Sequence, residues 1–467
     1  MTVTEQLAAC LTEVGKAPVS DALRDKVTRH LFDTMGAILA GLLLQETTSL
    51  AAAIADMSEA STPANRSGLH GLFGADGLRG PLGPTILHLS AAARSTEVDD
   101  IHLASCITPS SIIVPVALAT AAHLPQASGA QVIAACITGY EAIIRLGLAI
   151  DGPGILYQGL WPTYLCASVG SAATVGSLLG LTSGQTAQAL AIASAMSGGA
   201  NARSDSPCAK WLMVGTAAQS GALAAFAARR GFLGDLGLLG ARWGKLFGVM
   251  VDETVLTQAT GEPRHAESLA MKPWCGARQT MAATAGFQRL LKDPAIKPET
   301  LRDITVEVPK AYLGMIDRKA LPVSRQESFA DLRYQFSLAA FAPDRLMDVA
   351  RENLHIDGRF TALAGKIRIL HGADLDAHYP RHWPARVTVI DSNGTARSEE
   401  ILHAPGDAEN PLGWRELAAK FARISRCSQE SVTEIAAACQ RLPEDNAWPN
   451  LLTLINREIE LSHGPTT

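Results

Sequence analysis

Aromatic residues are scarce in this chain of 467 residues: Trp, Tyr and Phe together make up 5%. Sheet-rich cores draw on aromatic and β-branched side chains, so a composition dominated by Ala and Leu points to closely packed helices. The eight cysteines are scattered, from Cys10 to Cys439, and no two form a CxxC pair. That spacing gives no redox motif or zinc ribbon, and it suits the reduced, buried thiols of a cytoplasmic protein. No basic block occurs and the net charge is −5, so nucleic acid is not an expected partner. The opening Met1-Thr2-Val3-Thr4-Glu5 has no basic, apolar leader, so no signal peptide is expected. Apolar runs are broken by Gly, Ser or charge before membrane-span length, so no membrane partner is expected either. Phosphate-binding Gly loops and clustered Cys/His spacings are missing as well, so neither a nucleotide cofactor nor a metal is expected.

What is present is helical periodicity. Ser20-Asp21 can cap a helix whose Leu23, Val27, Leu31 and Met35 recur on one face, running to Leu44. A second helix is expected over 48–60, a loop over 61–84, and nearly continuous helix from 86 to about 230. Ser171–Leu181, Thr186–Met196 and Thr216–Arg230 are apolar on several faces, as in the interior of a bundle. The pattern changes after Gly261-Glu262-Pro263. Ile304–Val308, Lys366–Leu370 and Ala385–Ile390 alternate as strands do, and Asp391-Ser392-Asn393-Gly394 reads as a hairpin turn into Thr395–Leu402. Helices return over Trp414–Ala422 and Glu430–Leu442. The expected fold is mainly α: a large all-helical domain (1–265 with 410–467) plus a smaller α+β domain (266–409).

The densest chemistry lies at Glu97-Val98-Asp99-Asp100-Ile101-His102, shortly before Thr108-Pro109-Ser110-Ser111 and the apolar run Ile112–Ala122. Carboxylates and an imidazole beside a helix N-terminus can move a proton on an anionic substrate. The same residues also suit a capped, solvated turn. Asp99, Asp100 and His102 alone are poor metal ligands, because adjacent residues rarely converge on one ion. Lys210, among Cys208, Ala209 and Trp211–Val214, either snorkels to water or stands in a cleft as a carboxylate receptor. Tyr140 and Arg145 sit in an apolar helix, where packing and ion-pairing are the alternatives to a site role.

These segments, in order, resemble the MmgE/PrpD family of small-acid dehydratases, decarboxylases and epimerases. The resemblance rests on Asp99-Asp100, Thr108-Pro109-Ser110, Thr138-Gly139-Tyr140-Glu141…Arg145 and Trp161-Pro162-Thr163. It continues through Lys210…Gly215…Ala217-Ala218, Lys272-Pro273-Trp274 and Ala404-Pro405-Gly406…Leu417…Phe421. It implies a discontinuous helical domain, a homodimer, no cofactor, and an active site on a small-molecule carboxylate. Catalytic roles are implied for Asp99, Asp100, His102, Lys210, Lys272, Tyr140 and Tyr312. Substrate contacts are implied for Thr108, Trp161, Arg145, Ala277 and Arg278.

The chain departs from the family where histidines are usual: Thr108, Trp161 and Ala277 replace them, and Met213 and Met281 stand at two further such positions. Fewer imidazoles and an added indole make the expected pocket more apolar. The expected activity is a lyase working through a carboxylate-stabilised carbanion on a divergent substrate. The alternatives are an epimerase that abstracts a proton next to a carboxylate, a silent small-acid-binding paralogue, and an enzyme for a non-acid metabolite.

Overall fold

The computed structural model describes residues 1–58, 74–198, 209–258, 265–318, 320–354, 356–444 and 447–462. Cys208, the Gly261-Glu262-Pro263 boundary signal and most of the expected 61–84 loop lie outside them. The chain divides into two compact units: 1–269 with 413–467, and 270–412.

The larger unit is a helical bundle whose helices start on sequence-encoded caps. Thr2, Ser128 and Thr182 each accept from the backbone three residues on, while Glu5, Gln131 and Gln185 reach back, closing three capping boxes. Ser20 caps Asp21–Leu42 in the expected way. At the centre lies Ser110–Ala122, every residue of which is buried. A helix with no polar face must be enclosed, and Leu82–Ser95, Gly129–Ala149 and Pro162–Leu178 enclose it. Pro162–Leu178 also packs on Ala209–Arg229. The expected 48–60 helix runs over Gln45–Ser58, and a helix already begins at Leu82, inside the expected loop. Helices at Val3–Lys16 and Ala447–Ser462 carry no expectation from the sequence. The latter joins Trp414–Ser425 and Gln429–Gln440 within this unit.

Two helices, Gly129–Ala149 and Ala209–Arg229, are long and apolar enough to cross a membrane, which corrects the expectation that no segment would be. The first is 89% buried within the unit and the second 56%. Neighbouring helices thus cover much of the apolar surface that gives these segments their membrane-like composition.

The smaller unit holds a four-stranded sheet in the order Ile367–His371, Asp303–Val308, Ala385–Ile390, Ala396–Ile401. The first pair is parallel and the other two are antiparallel. Buried and part-exposed residues alternate along Asp303–Val308 and Ala385–Ile390, as the sequence pattern requires. Met281–Leu290 covers the sheet and packs on Leu332–Phe341. The expected hairpin forms: Asp391 accepts from the Asn393 and Thr395 amides, and Gly394 takes φ +84°.

Close helix contact in the larger unit depends on Gly41. A Cβ there would lie 2.0 Å from the Ala92 carbonyl oxygen. Gly41→Ala should therefore destabilise the protein by about 1–3 kcal/mol in urea unfolding, the usual range for overpacking. Gly184→Ala, where a Cβ meets nothing within 4 Å, should be neutral or slightly stabilising.

Candidate active site

The helix Leu82–Ser95 ends where the chain enters a buried loop. Glu97 takes a left-handed φ of 55°, Asp99 to His102 are buried, Cys106 takes φ 53°, and Ser110 opens the central helix. A buried loop cannot satisfy its polar groups with water, so other elements must supply partners. Each member of Glu97–Asp100 meets that demand differently.

The two aspartates diverge. Asp99 Oδ1 lies 3.0 Å from Arg94 Nη1. Asp100 accepts from the Ser110 amide at 2.9 Å and from the Ser110 hydroxyl, at the positive end of the central helix. His30 Nδ1 lies 2.7 Å from Asp100 Oδ2. Tyr140 Oη is 2.7 Å from Ser110 Oγ, which extends the chain of hydrogen bonds. Burial lowers the His30 pKa although Asp100 opposes the shift. A neutral ring donating from Nδ1 fits this, because Nε2 has no hydrogen-bond partner among the described residues. Burial also raises the Tyr140 hydroxyl well above its ordinary pKa.

Val98 contributes its carbonyl, which accepts from Lys420 Nζ at 3.0 Å. The same ammonium lies 2.8 Å from Asp33. Burial raises the Asp33 pKa, and the Lys420 charge opposes that shift. Glu97 stands between two cations: Arg94 Nη1 at 3.1 Å and Lys210 Nζ at 3.5 Å. The Arg94 guanidinium carbon lies 5.1 Å from the Trp161 ring and 5.5 Å from Trp211, and Lys210 Nζ sits 3.9 Å from the Trp211 centroid. Burial alone would lower the Arg94 pKa; Asp99 and Glu97 more than reverse this.

Three cations thus meet three carboxyl groups, Asp33, Glu97 and Asp99, and the cations differ in access. The Lys420 and Arg94 side chains are 1% and 9% exposed, whereas Lys210 is 21% exposed. Lys210 is therefore the most exposed cation of this network, with Glu97 and Trp211 beside it.

The larger unit gathers Asp99, Trp161 and Lys210 around Arg94 and Glu97, and Asp100 and Tyr140 in an adjoining hydrogen-bonded chain. Thr108 is tied to the start of Pro162–Leu178, its amide donating to Thr163 Oγ1 at 3.0 Å. Three further candidates have partners of their own. Arg145 pairs with Glu141 at 2.9 Å and donates to the Gln258 carbonyl at 2.8 Å. At His102, burial and then neighbouring His265 push the pKa down to about 3, and its nitrogens face Ser105 and Ser268. Tyr312 donates to the Pro384 carbonyl at 2.8 Å and packs with Tyr379 and Trp383, a core role in the smaller unit. In that unit Lys272 is buried, Arg278 is paired with Asp407, and the Ala277 amide donates to Phe329 O.

The sequence reading singled out neither His30, Asp33, Arg94 nor Lys420. Asp33 and Lys420 carried a signal nonetheless, since each is a charge in an apolar stretch, Leu31-Phe32-Asp33 and Lys420-Phe421, and buried charges are normally paired.

Residues 5–258 match the MmgE/PrpD N-terminal domain, and residues 274–442 match the MmgE/PrpD C-terminal domain. Cis-aconitate decarboxylase-like protein oryM of Aspergillus oryzae is 22% identical over 98% of both chains. Cis-aconitate decarboxylase of Homo sapiens is 28% identical over 71% of this chain and 69% of its own. Cis-aconitate decarboxylase of Aspergillus terreus is 31% identical over 35% of this chain and 34% of its own.

Two outcomes test this network. Lys420→Met strands Asp33 and should cost roughly 3–5 kcal/mol in denaturant unfolding, whereas Asp33→Leu/Lys420→Met should recover most of that loss. In the unfolded chain an imidazole takes up a proton below about pH 6.5. Folded His102 resists protonation down to about pH 3. Unfolding therefore binds a proton across that window, and stability should fall as pH drops through it, by up to about 1.4 kcal/mol per pH unit. His102→Gln should flatten the slope in pH-dependent urea titrations.

Proposed function

The chain belongs to the MmgE/PrpD family, and from that premise we propose that it is a cofactor-independent lyase acting on a small carboxylic acid. The reaction is dehydration or decarboxylation through a carbanion stabilised by an adjacent carboxylate. The observation that carries this reading is the part-exposed Lys210 ammonium, set against Glu97 and over Trp211. Lys210 holds the substrate carboxylate and offsets the charge that develops during reaction. Glu97 is the carboxyl group nearest that ammonium in the network and transfers the proton. Asp99 and Asp100 act through others, fixing Arg94 and the His30–Ser110–Tyr140 chain.

The substrate differs from that of the relatives named for cis-aconitate. Thr108, Trp161 and Ala277 replace family histidines, and Trp161 lines the network with an indole face 5.1 Å from Arg94. A flatter or less highly charged acid than a tricarboxylate suits such a wall. The protein acts as a homodimer: Leu212, Leu223, Phe232 and Leu233 on and just after Ala209–Arg229 are 45–74% exposed and offer apolar surface to a second copy.

Purified protein incubated with di- and tricarboxylates in deuterated water, followed by NMR, should show loss of water or CO2 from at least one acid. Lys210→Ala should lower kcat/KM for that acid by about 2–5 kcal/mol in transition-state stabilisation. Binding without turnover across the panel, or full activity in Lys210→Ala, would reject the assignment.

A further inference from the structure

The smaller unit carries a cluster that the reading above leaves unused. Ala385–Ile390 and Ala396–Ile401 pair antiparallel, with Ala385 opposite Ile401. This register sets the residues before the first strand beside those after the second. His382 and His403 occupy these two positions, with ring centroids 4.7 Å apart and planes nearly perpendicular. The chain after His403 turns back on itself: the Asp407 amide donates to Ala404 O, the Asp407 carboxylate accepts from the Ala404 amide, and the Gly406 amide donates to Asn410 O. That turn carries Glu409. One carboxylate oxygen lies 3.8 Å from His382 Nδ1 and the other 3.5 Å from His403 Nδ1. Both Nδ1 atoms are buried and lack a hydrogen-bond partner among the described residues.

We propose that His382, His403 and Glu409 form a binding site for a divalent transition-metal ion, with zinc the best fit. One ligand atom from each residue lies within 4.8 Å of the others. Tetrahedral zinc at about 2.0–2.1 Å from each ligand holds them roughly 3.3–3.5 Å apart, so small side-chain rotations close the site. Two imidazoles and one carboxylate are borderline ligands that favour zinc over magnesium or calcium. The side chains are 26%, 30% and 47% exposed, so an ion can enter from solvent and water can fill a fourth position.

The site has a consequence for its own unit. The turn bearing Glu409 also holds Asp407, the partner of Arg278, and Gly406, whose carbonyl accepts from the Met271 amide. A Cβ on Gly406 would lie 2.1 Å from Met271 O, so the turn is fitted closely to the residue before Lys272. A bound ion would fix this turn to the strand start at His382, and thereby brace the segment carrying Lys272 and Arg278.

The test is isothermal titration of chelator-stripped, full-length, untagged protein with zinc chloride. One zinc per chain is expected. His382→Ala and His403→Ala should each weaken binding beyond the roughly 10–100-fold that loss of an outer-shell partner costs. Glu409→Gln provides a near-isosteric third variant, and circular dichroism of the apo forms verifies folding. Cobalt in place of zinc should give visible d–d bands in the wild type that the variants lose. His371→Ala, which removes a separate histidine paired with Asp376 at 2.7 Å, should leave zinc binding unchanged. Absence of stoichiometric zinc, equal binding by the His382→Ala/His403→Ala double variant, or loss of binding on His371→Ala would overturn the proposal.

Discussion

Four consecutive residues, Glu97 to Asp100, are buried in a loop, and the larger unit is organised by the need to give their polar groups partners. A carboxylate without a partner in such surroundings would be untenable. Each is answered from a different part of the chain. Arg94 comes from the helix just before the loop, His30 from the second helix, Lys210 from the helix that begins at Ala209, and Lys420 from the returning C-terminal segment. The hydrophobic helices supply the burial energy without specifying where a helix must stop along its neighbour. The charged contacts do specify it, since an ammonium displaced by a few ångströms no longer meets its carboxylate.

The legible part of this design was the part that repeats. Periodicity in Asp21–Leu42, the all-apolar Ser110–Ala122 and the alternating strands with their Asp391–Gly394 turn each leave a local trace, and the mainly α fold with a smaller α+β unit follows from them. The pairings leave no such trace. Asp33 and Lys420 are separated by 387 positions, and nothing in either neighbourhood names the other. Position in the chain also misled. His102 lies two residues from Asp100, yet it is His30, seventy residues from Asp100, that makes the contact.

The tryptophans around Arg94 act on several terms together. Trp161 contributes no proton-transfer group. It does cover one neighbour of Arg94, with Trp211 as the other, so the guanidinium meets aromatic surface and carboxylates together.

The returning helix also sets an order of events during synthesis. Domains tend to fold as the chain emerges, N-terminal parts first. Here the first 269 residues cannot complete their own unit, because Asp33 and the Val98 carbonyl wait for an ammonium at position 420. The stretch from 270 to 412 is contiguous and needs no such delay. The smaller unit can therefore close on the ribosome while the larger one, though begun earlier, is finished only once Lys420 has left it.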